Sequence, residues 1–384
     1  MTKFWTVLIR YSFIISIILL FTACDQVNST IESEDQNPGD DTQSTEWLIP
    51  SDEIVDGGPG KDGIPSVDNP KFAPVSEIDF IQDDRLIIGL KAGNTIKAYP
   101  HQILDWHEIV NDQVENLHIA MTYCPLTGTG ITWNRQIDGD IVEFGVSGLL
   151  FRNNLIAYDR KTDSYWSQMQ LRAVKGPMSG DHLQPAARMV ETTWKQWKAM
   201  YPDSEIMTKE TGFARFYGGF AYGESYLNDE NYLLFPVKNE NERLPGKTKV
   251  HVILHDRVTD QQQEVRVFAK SEMGDGIDVI NEDYKDLNIV AAGSKEYDFV
   301  VSFHRELSDG SLLNFTPVQG KLPVIMTDEE GNEWNIFGEA VNGPRTGQKL
   351  QPTNSYNGYW FAIADMFPNA CVYPSTGCKG YIDK

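Results

Sequence analysis

The sequence predicts an α+β fold, rich in β-strand, with two pseudo-equivalent halves of antiparallel sheet and short packed helices. Three observations predict it. Short stretches alternate apolar and polar residues between Gly, Pro and Asn punctuation. Helical spacing is confined to brief windows. A series of Trp, Gly and Pro positions occurs twice in the same order.

The chain begins with Lys3 and Arg10 and an uncharged apolar run, residues 11–22. A stable spanning helix needs about 20 apolar residues, so this run is too short to serve as one. A basic start, a short apolar core and small residues before a cut site make residues 1–23 a secretory signal. Thr22-Ala23-Cys24 supplies the cut, and Cys24 is the expected lipidation site. Buried acyl chains hold a protein at a bilayer because each methylene contributes about 0.8 kcal/mol. The expected location is therefore the cell envelope, lipid-anchored to a bacterial membrane. Residues 24–56 read as an acidic flexible tether. They carry ten acids from Asp25 to Asp56 and no Lys or Arg, a composition that buries too little apolar surface to fold.

Residues 57–384 form the remaining domain. Residues 85–90, 117–123 and 250–254 alternate as strands do. Pro100 suits the first turn of a helix over residues 101–110. Trp194, Trp197 and Tyr201 fall at helical intervals, and Pro202 ends that segment.

The repeat organises these elements. Asp159, Trp166, Ala173-Val-Lys-Gly-Pro177, Gly180, Leu183-Gln-Pro185, Trp194 and Met200-Tyr-Pro202 form the first series. Asp328, Trp334, Ala340-Val-Asn-Gly-Pro344, Gly347, Leu350-Gln-Pro352, Trp360 and Met366-Phe-Pro368 form the second. Spacing agrees to within a residue or two, which places the halves at about 80–208 and 248–373.

Composition excludes some partners. Formal charge is −22, and losing Lys3 and Arg10 with the signal moves it to −24. Nucleic acid needs clustered Lys and Arg, so it is not an expected partner. The expected contacts are the membrane, through the lipid, and a protein or small molecule. Besides Cys24 the chain has Cys124, Cys371 and Cys378. Cys371 and Cys378 lie close together with Pro374 and Gly377 between them, so they are expected to pair. Cys124 is left as a free thiol, which in an oxidising compartment is either buried or used.

Polar chemistry gathers in the first half. On the predicted helix His101 and Glu108 fall on nearly one face, and His107 points inward beside Ile103 and Leu104. The strand at 117–123 delivers Cys124 into a Gly-rich turn. Imidazole with thiolate suits copper or zinc, giving His107 and Cys124 as ligands with His101 and Glu108 as further candidates. The same pair reads alternatively as a Cys/His nucleophile and base, with Asn111 or Asp112 fixing the imidazole. A third reading is a non-catalytic binding or structural module, in which Cys124 is a small core residue. Asp62 either places a carboxylate near the site or forms a turn. His251 and His255 are four apart on a predicted strand, about 13 Å, too far for a shared ligand, and are set aside.

Gly57-Gly-Pro59, Lys61-Asp-Gly-Ile-Pro65, Ala98-Tyr-Pro100, Trp106-His-Glu-Ile-Val-Asn-Asp112, Thr122-Tyr-Cys-Pro-Leu126, Phe144-Gly-Val-Ser-Gly148, Tyr158-Asp-Arg160 and Trp166-Ser-Gln168 occur in fixed order. In these motifs the chain resembles the bacterial family catalogued as domain of unknown function 3179, over nearly everything after the tether. The resemblance implies no agreed reaction. Members often read Cys-Pro-Leu-Cys where this chain has Cys124-Pro-Leu-Thr127, so a two-thiol motif is not available here.

Overall fold

The computed structural model describes residues 46–255 and 263–375. The fold is β-rich α+β, with several antiparallel sheets and few short helices. Among the described residues no helix is long and apolar enough to cross a membrane. Cys24 lies outside the described residues.

The first sheet has the order Arg188–Thr193, Leu86–Ala92, Thr95–Pro100, Glu205–Met207 and Phe72–Pro74. Ile87, Ile88 and Leu90 fill both faces of Leu86–Ala92, which is buried along most of its length. The helix Trp194–Met200 follows the edge strand and lays Trp197 on Gly89, where an added Cβ would come within 1.9 Å of the indole. Val67–Asp68, Ile109–Val114, Leu117–Cys124 and Thr129–Asn134 make a second sheet. A third runs Ile54–Asp56, Phe144–Phe151, Asn154–Asp159, Tyr165–Ser167 and Arg172–Lys175.

Later strands take up matching orders. Ser355–Tyr359, Lys249–Leu254, Val265–Ala269 and Cys371–Val372 form a four-stranded sheet, with the helix Trp360–Met366 after its edge strand. Asp278–Tyr284, Leu287–Ser294 and Phe299–His304 form a meander. Phe315–Pro317, Val324–Asp328, Glu333–Asn335 and Ala340–Asn342 form another.

Side-chain ties recur with the strands. Asn111 donates to the Phe144 carbonyl at 2.8 Å and accepts from its amide at 2.9 Å; Asn281 does the same for Phe315 at 2.8 and 2.8 Å. The Trp166 indole donates to Asp159 at 3.0 Å and the Trp334 indole to Asp328 at 2.9 Å.

Two expectations need correction. The helix from His101 stops at His107, because Glu108 turns into the left-handed region at φ 56° and the β-branched Ile109-Val110 pair starts a strand. Order also begins before residue 57. The Trp47 ring packs on Tyr165, the Leu48 amide bonds the Val174 carbonyl at 2.8 Å, and Ile54–Asp56 pairs with the strand Phe144–Phe151. The apolar residues Trp47, Leu48, Ile49, Ile54 and Val55 outweigh the acidic composition locally, and Arg152 answers Glu53 at 2.7 Å.

Candidate functional site

The turn between the helix His101–His107 and the strand Ile109–Val114 presents His107 and Glu108 to a long connection, residues 208–248. His107 is fully buried, as its apolar neighbours predict. Its Nδ1 lies 2.7 Å from the Pro65 carbonyl, which can only accept, so Nδ1 carries the proton. Nε2 then accepts from the Tyr217 hydroxyl at 2.7 Å, and Tyr217 is met in turn by the Thr211 hydroxyl at 2.6 Å. Burial pushes the imidazole below its ordinary range, against the upward pull of the Pro65 carbonyl. The ring is a neutral, fully bonded group.

Glu108 is 4 % exposed. Burial pushes its carboxyl up to about 7, and the hydrogen bond from Tyr222, at 2.7 Å, offsets only part of that. A buried carboxyl on a strained non-Gly turn is a feature that functional sites share. A cavity of about 20 Å³, room for one water, lies between Glu108, Tyr222, Leu126 and Gly148.

Cys124 is 1 % exposed, and burial, with the nearby Glu108 charge, pushes its thiol up to about 11. It is therefore protonated at neutral pH and lies 3.7 Å from the Asn153 carbonyl. Thr127, three residues on, is also buried, and its hydroxyl accepts from Asn154 at 3.1 Å.

The other predicted residues disperse. His101 packs at a tilt of 50° against Tyr123 with ring centres 4.4 Å apart, and its Nε2 lies 3.4 Å from Glu191. Asn111 does not orient His107; it bridges Asp68 and Phe144. Asp112 holds Lys97 at 2.9 Å and Tyr99 at 2.7 Å, and so does not reach the imidazole either. The strand geometry explains both, because the helix ends at His107 and Asn111 and Asp112 lie on the strand Ile109–Val114 instead of continuing its turn. Asp62 turns at φ 57° and accepts from Tyr158 beside Arg160. Cys371 is disulfide-bonded, and Cys378 lies outside the described residues. Among the described residues no group of three or more His, Cys, Asp or Glu gathers as a metal site. A metal at His107 would have to displace the Tyr217 hydroxyl.

Sequence reasoning missed the connection that covers this turn. Tyr217 and Tyr222 hold His107 and Glu108, Tyr226 donates to the Leu126 carbonyl at 2.5 Å, and the Trp106 indole donates to the Gly219 carbonyl at 3.0 Å. The signal was the run of aromatics and glycines from Phe213 to Tyr226.

It also missed a larger cavity, about 280 Å³, between the strands Thr129–Asn134, Arg188–Thr193, Phe299–His304 and Ser355–Tyr359. One wall is apolar, with Ile131, Met189 and Phe337. Another carries His251, Ser302, Thr353, Ser355 and Asn357 in one bonded chain. Burial pushes His251 down to about 4, although its bond to Asn357 acts upward. Glu191 borders the cavity. Burial raises it, but Lys249, at 3.0 Å, and His101 outweigh that and hold the carboxyl well below its usual range.

With this geometry in view, the family model described as "Protein of unknown function (DUF3179)" matches residues 61–370. The chain belongs to that family. The matched span of DUF3179 includes the His107–Glu108 turn, Cys124 and every residue of the larger cavity named above. No curated protein and no solved structure matches the chain.

Proposed function

We propose that this DUF3179 member is a lipid-anchored cell-envelope protein whose domain binds a small molecule between its paired sheets. The observation that carries the binding is the 280 Å³ cavity, which sets an apolar wall against a convergent polar one. The polar groups there are neutral or already bonded within the protein. His251 is held neutral, Arg188 donates to the Phe337 carbonyl at 2.5 Å and to the Leu350 carbonyl, and Lys249 is bound to Glu191. Such a lining suits a neutral ligand with its own hydrogen-bonding groups. The anchor rests on the residues around Cys24.

The domain is, in our reading, an internal duplication over about 80–208 and 248–373. The matching strand orders and the paired Asn–Phe and Asp–Trp ties support this. The cavity would then lie on the seam between the copies, with Pro185 and Pro352 at equivalent positions on its rim.

Thermal scanning of residues 47–384 against a panel of small neutral metabolites tests the binding. A ligand at about 100 times its Kd adds roughly 2.7 kcal/mol to stability, a shift of several degrees. That shift should vanish in Ala187→Phe, which fills the cavity. A panel without any shift, or a shift that survives in the variant, rules the site out.

Copper or zinc association stands as a second proposal, resting on the ligand chemistry of the imidazole, carboxyl and thiol that His107, Glu108 and Cys124 carry. Its test is metal content by mass spectrometry for the wild type, Cys124→Ser and His107→Ala. Near-stoichiometric metal lost in both variants supports it, and protein still empty after copper and zinc are offered overturns it.

A further inference from the structure

The wall of the larger cavity holds more than a binding surface. The Ser302 hydroxyl lies 2.7 Å from His251 Nε2, and His251 Nδ1 lies 2.8 Å from the Asn357 side-chain oxygen. Asn357 accepts from Nδ1, so Nε2 is the unprotonated nitrogen and accepts from Ser302. This is the order of a nucleophile, a base and a group that orients the base. All three residues line the cavity.

We propose that Ser302 is an acyl-accepting nucleophile, with His251 as its general base and Asn357 as the positioning residue, acting on a small neutral carboxylic ester. The assignment rests on the cavity-binding reading and adds chemistry to it. His251 is neutral at pH 7, so its accepting form is already present. The Thr353 hydroxyl touches Ser302 Oγ, and the Ser355 hydroxyl lies 3.4 Å from it. With the Ser302 proton on its bond to His251, the Thr353 hydroxyl is the one that can donate toward negative charge developing beside Oγ. The ester preference follows from the lining: Arg188 and Lys249 spend donors on the Phe337 and Leu350 carbonyls and on Glu191, and the Glu191 carboxylate itself borders the cavity, which disfavours an anionic substrate.

The reaction balances without an external oxidant or reductant. Ser302 Oγ bonds to the acyl carbon and its proton passes to His251 Nε2. The ester C–O bond breaks, and the departing alkoxide leaves as an alcohol with that proton. Water then attacks the acyl-serine, giving a proton to His251 Nε2. The acyl carbon–Oγ bond breaks, Oγ recovers the proton, and a carboxylic acid departs.

The sequence makes this arrangement hard to see. Ser302 and His251 are 51 residues apart and His251 and Asn357 are 106 apart. Each lies on a strand without a Gly-x-Ser-x-Gly turn.

The test is covalent labelling of the mature full-length chain, in detergent, by diisopropyl fluorophosphate, with the adduct located by peptide mass spectrometry. The expected result is an adduct on Ser302 whose rate of formation falls about 100-fold in His251→Gln, the range of a lost general base. Ser302→Ala should lose the adduct while keeping the wild-type circular dichroism. Mapping the adduct in the wild type keeps the test meaningful should either variant fold poorly. No adduct, an adduct only on other residues, or a rate unchanged in a folded His251→Gln overturns the assignment. If ligand-induced thermal shifts persist while Ser302 stays unlabelled, the nucleophile fails and the binding reading survives. If both are absent, both fail.

Discussion

Glu108 combines a left-handed backbone with a buried carboxyl, and both features bear on stability. The folded chain holds its proton up to about pH 7, whereas the ordinary value is 4.5. The stabilisation from this group is complete below pH 4.5 and is lost as pH rises through 7. A shift of that size corresponds to roughly 3 kcal/mol. Glu108→Gln keeps an oxygen to accept from Tyr222 and removes the charge. In urea unfolding at pH 4 the variant should match wild type. At pH 8 it should be more stable, by about 2–3 kcal/mol. Equal midpoints at pH 8 would mean that the buried charge has little cost. This site was partly legible in the sequence. The inward turn of His107 followed from its apolar neighbours, but its partner Tyr217 and Glu108's partner Tyr222 lie 110 and 114 residues away. Nothing local encodes that pairing.

At the scale of elements, periodicity located strands better than it located the end of a helix. Residues 85–90, 117–123 and 250–254 became Leu86–Ala92, Leu117–Cys124 and Lys249–Leu254. The helix from His101 was read too long because Ile109 and Val110 continue an apolar spacing that fits helix and strand equally well. Asn111 then serves the sheet. It ties the strand Ile109–Val114 to Phe144, as Asn281 ties Asp278–Tyr284 to Phe315. Asn111 is buried and also binds Asp68 at 2.7 Å, whereas Asn281 is exposed. Removing a buried partner leaves a desolvated amide and carbonyl behind, while water replaces an exposed one. Asn111→Ala should therefore cost about 3 kcal/mol and Asn281→Ala about 1 kcal/mol, read from urea midpoints. Equal losses would mean that burial does not set the strength of these ties.

Across the whole molecule, the two series of Trp, Gly and Pro positions were legible in the sequence, but the way the spans that carry them pack was not. One core joins Trp133, Phe144 and Trp166 from the first span to Val250, Tyr356 and Trp360 from the second. Another joins Ile87, Trp194 and Trp197 to Val290, Trp334 and Leu350. The helix-bearing sheet of each span thus covers the meanders of the other, a reciprocal arrangement that a sequence period does not specify. Two further cores take nothing from the opposite span, one around Tyr99 and Met121 and one around Phe268 and Ile289. A fragment of residues 210–384 would retain this last core and expose its side of the two shared ones. Fully burying a large apolar side chain contributes about 1.5–3 kcal/mol, so exposing several is comparable with the whole net stability of about 5–15 kcal/mol that a domain has. The fragment alone should show no cooperative thermal unfolding and should bind a hydrophobic dye. Mixed with residues 47–209, it should regain a cooperative transition, because the missing surface is supplied in trans. A fragment that melts cooperatively by itself would show that the second span holds a sufficient core without the first.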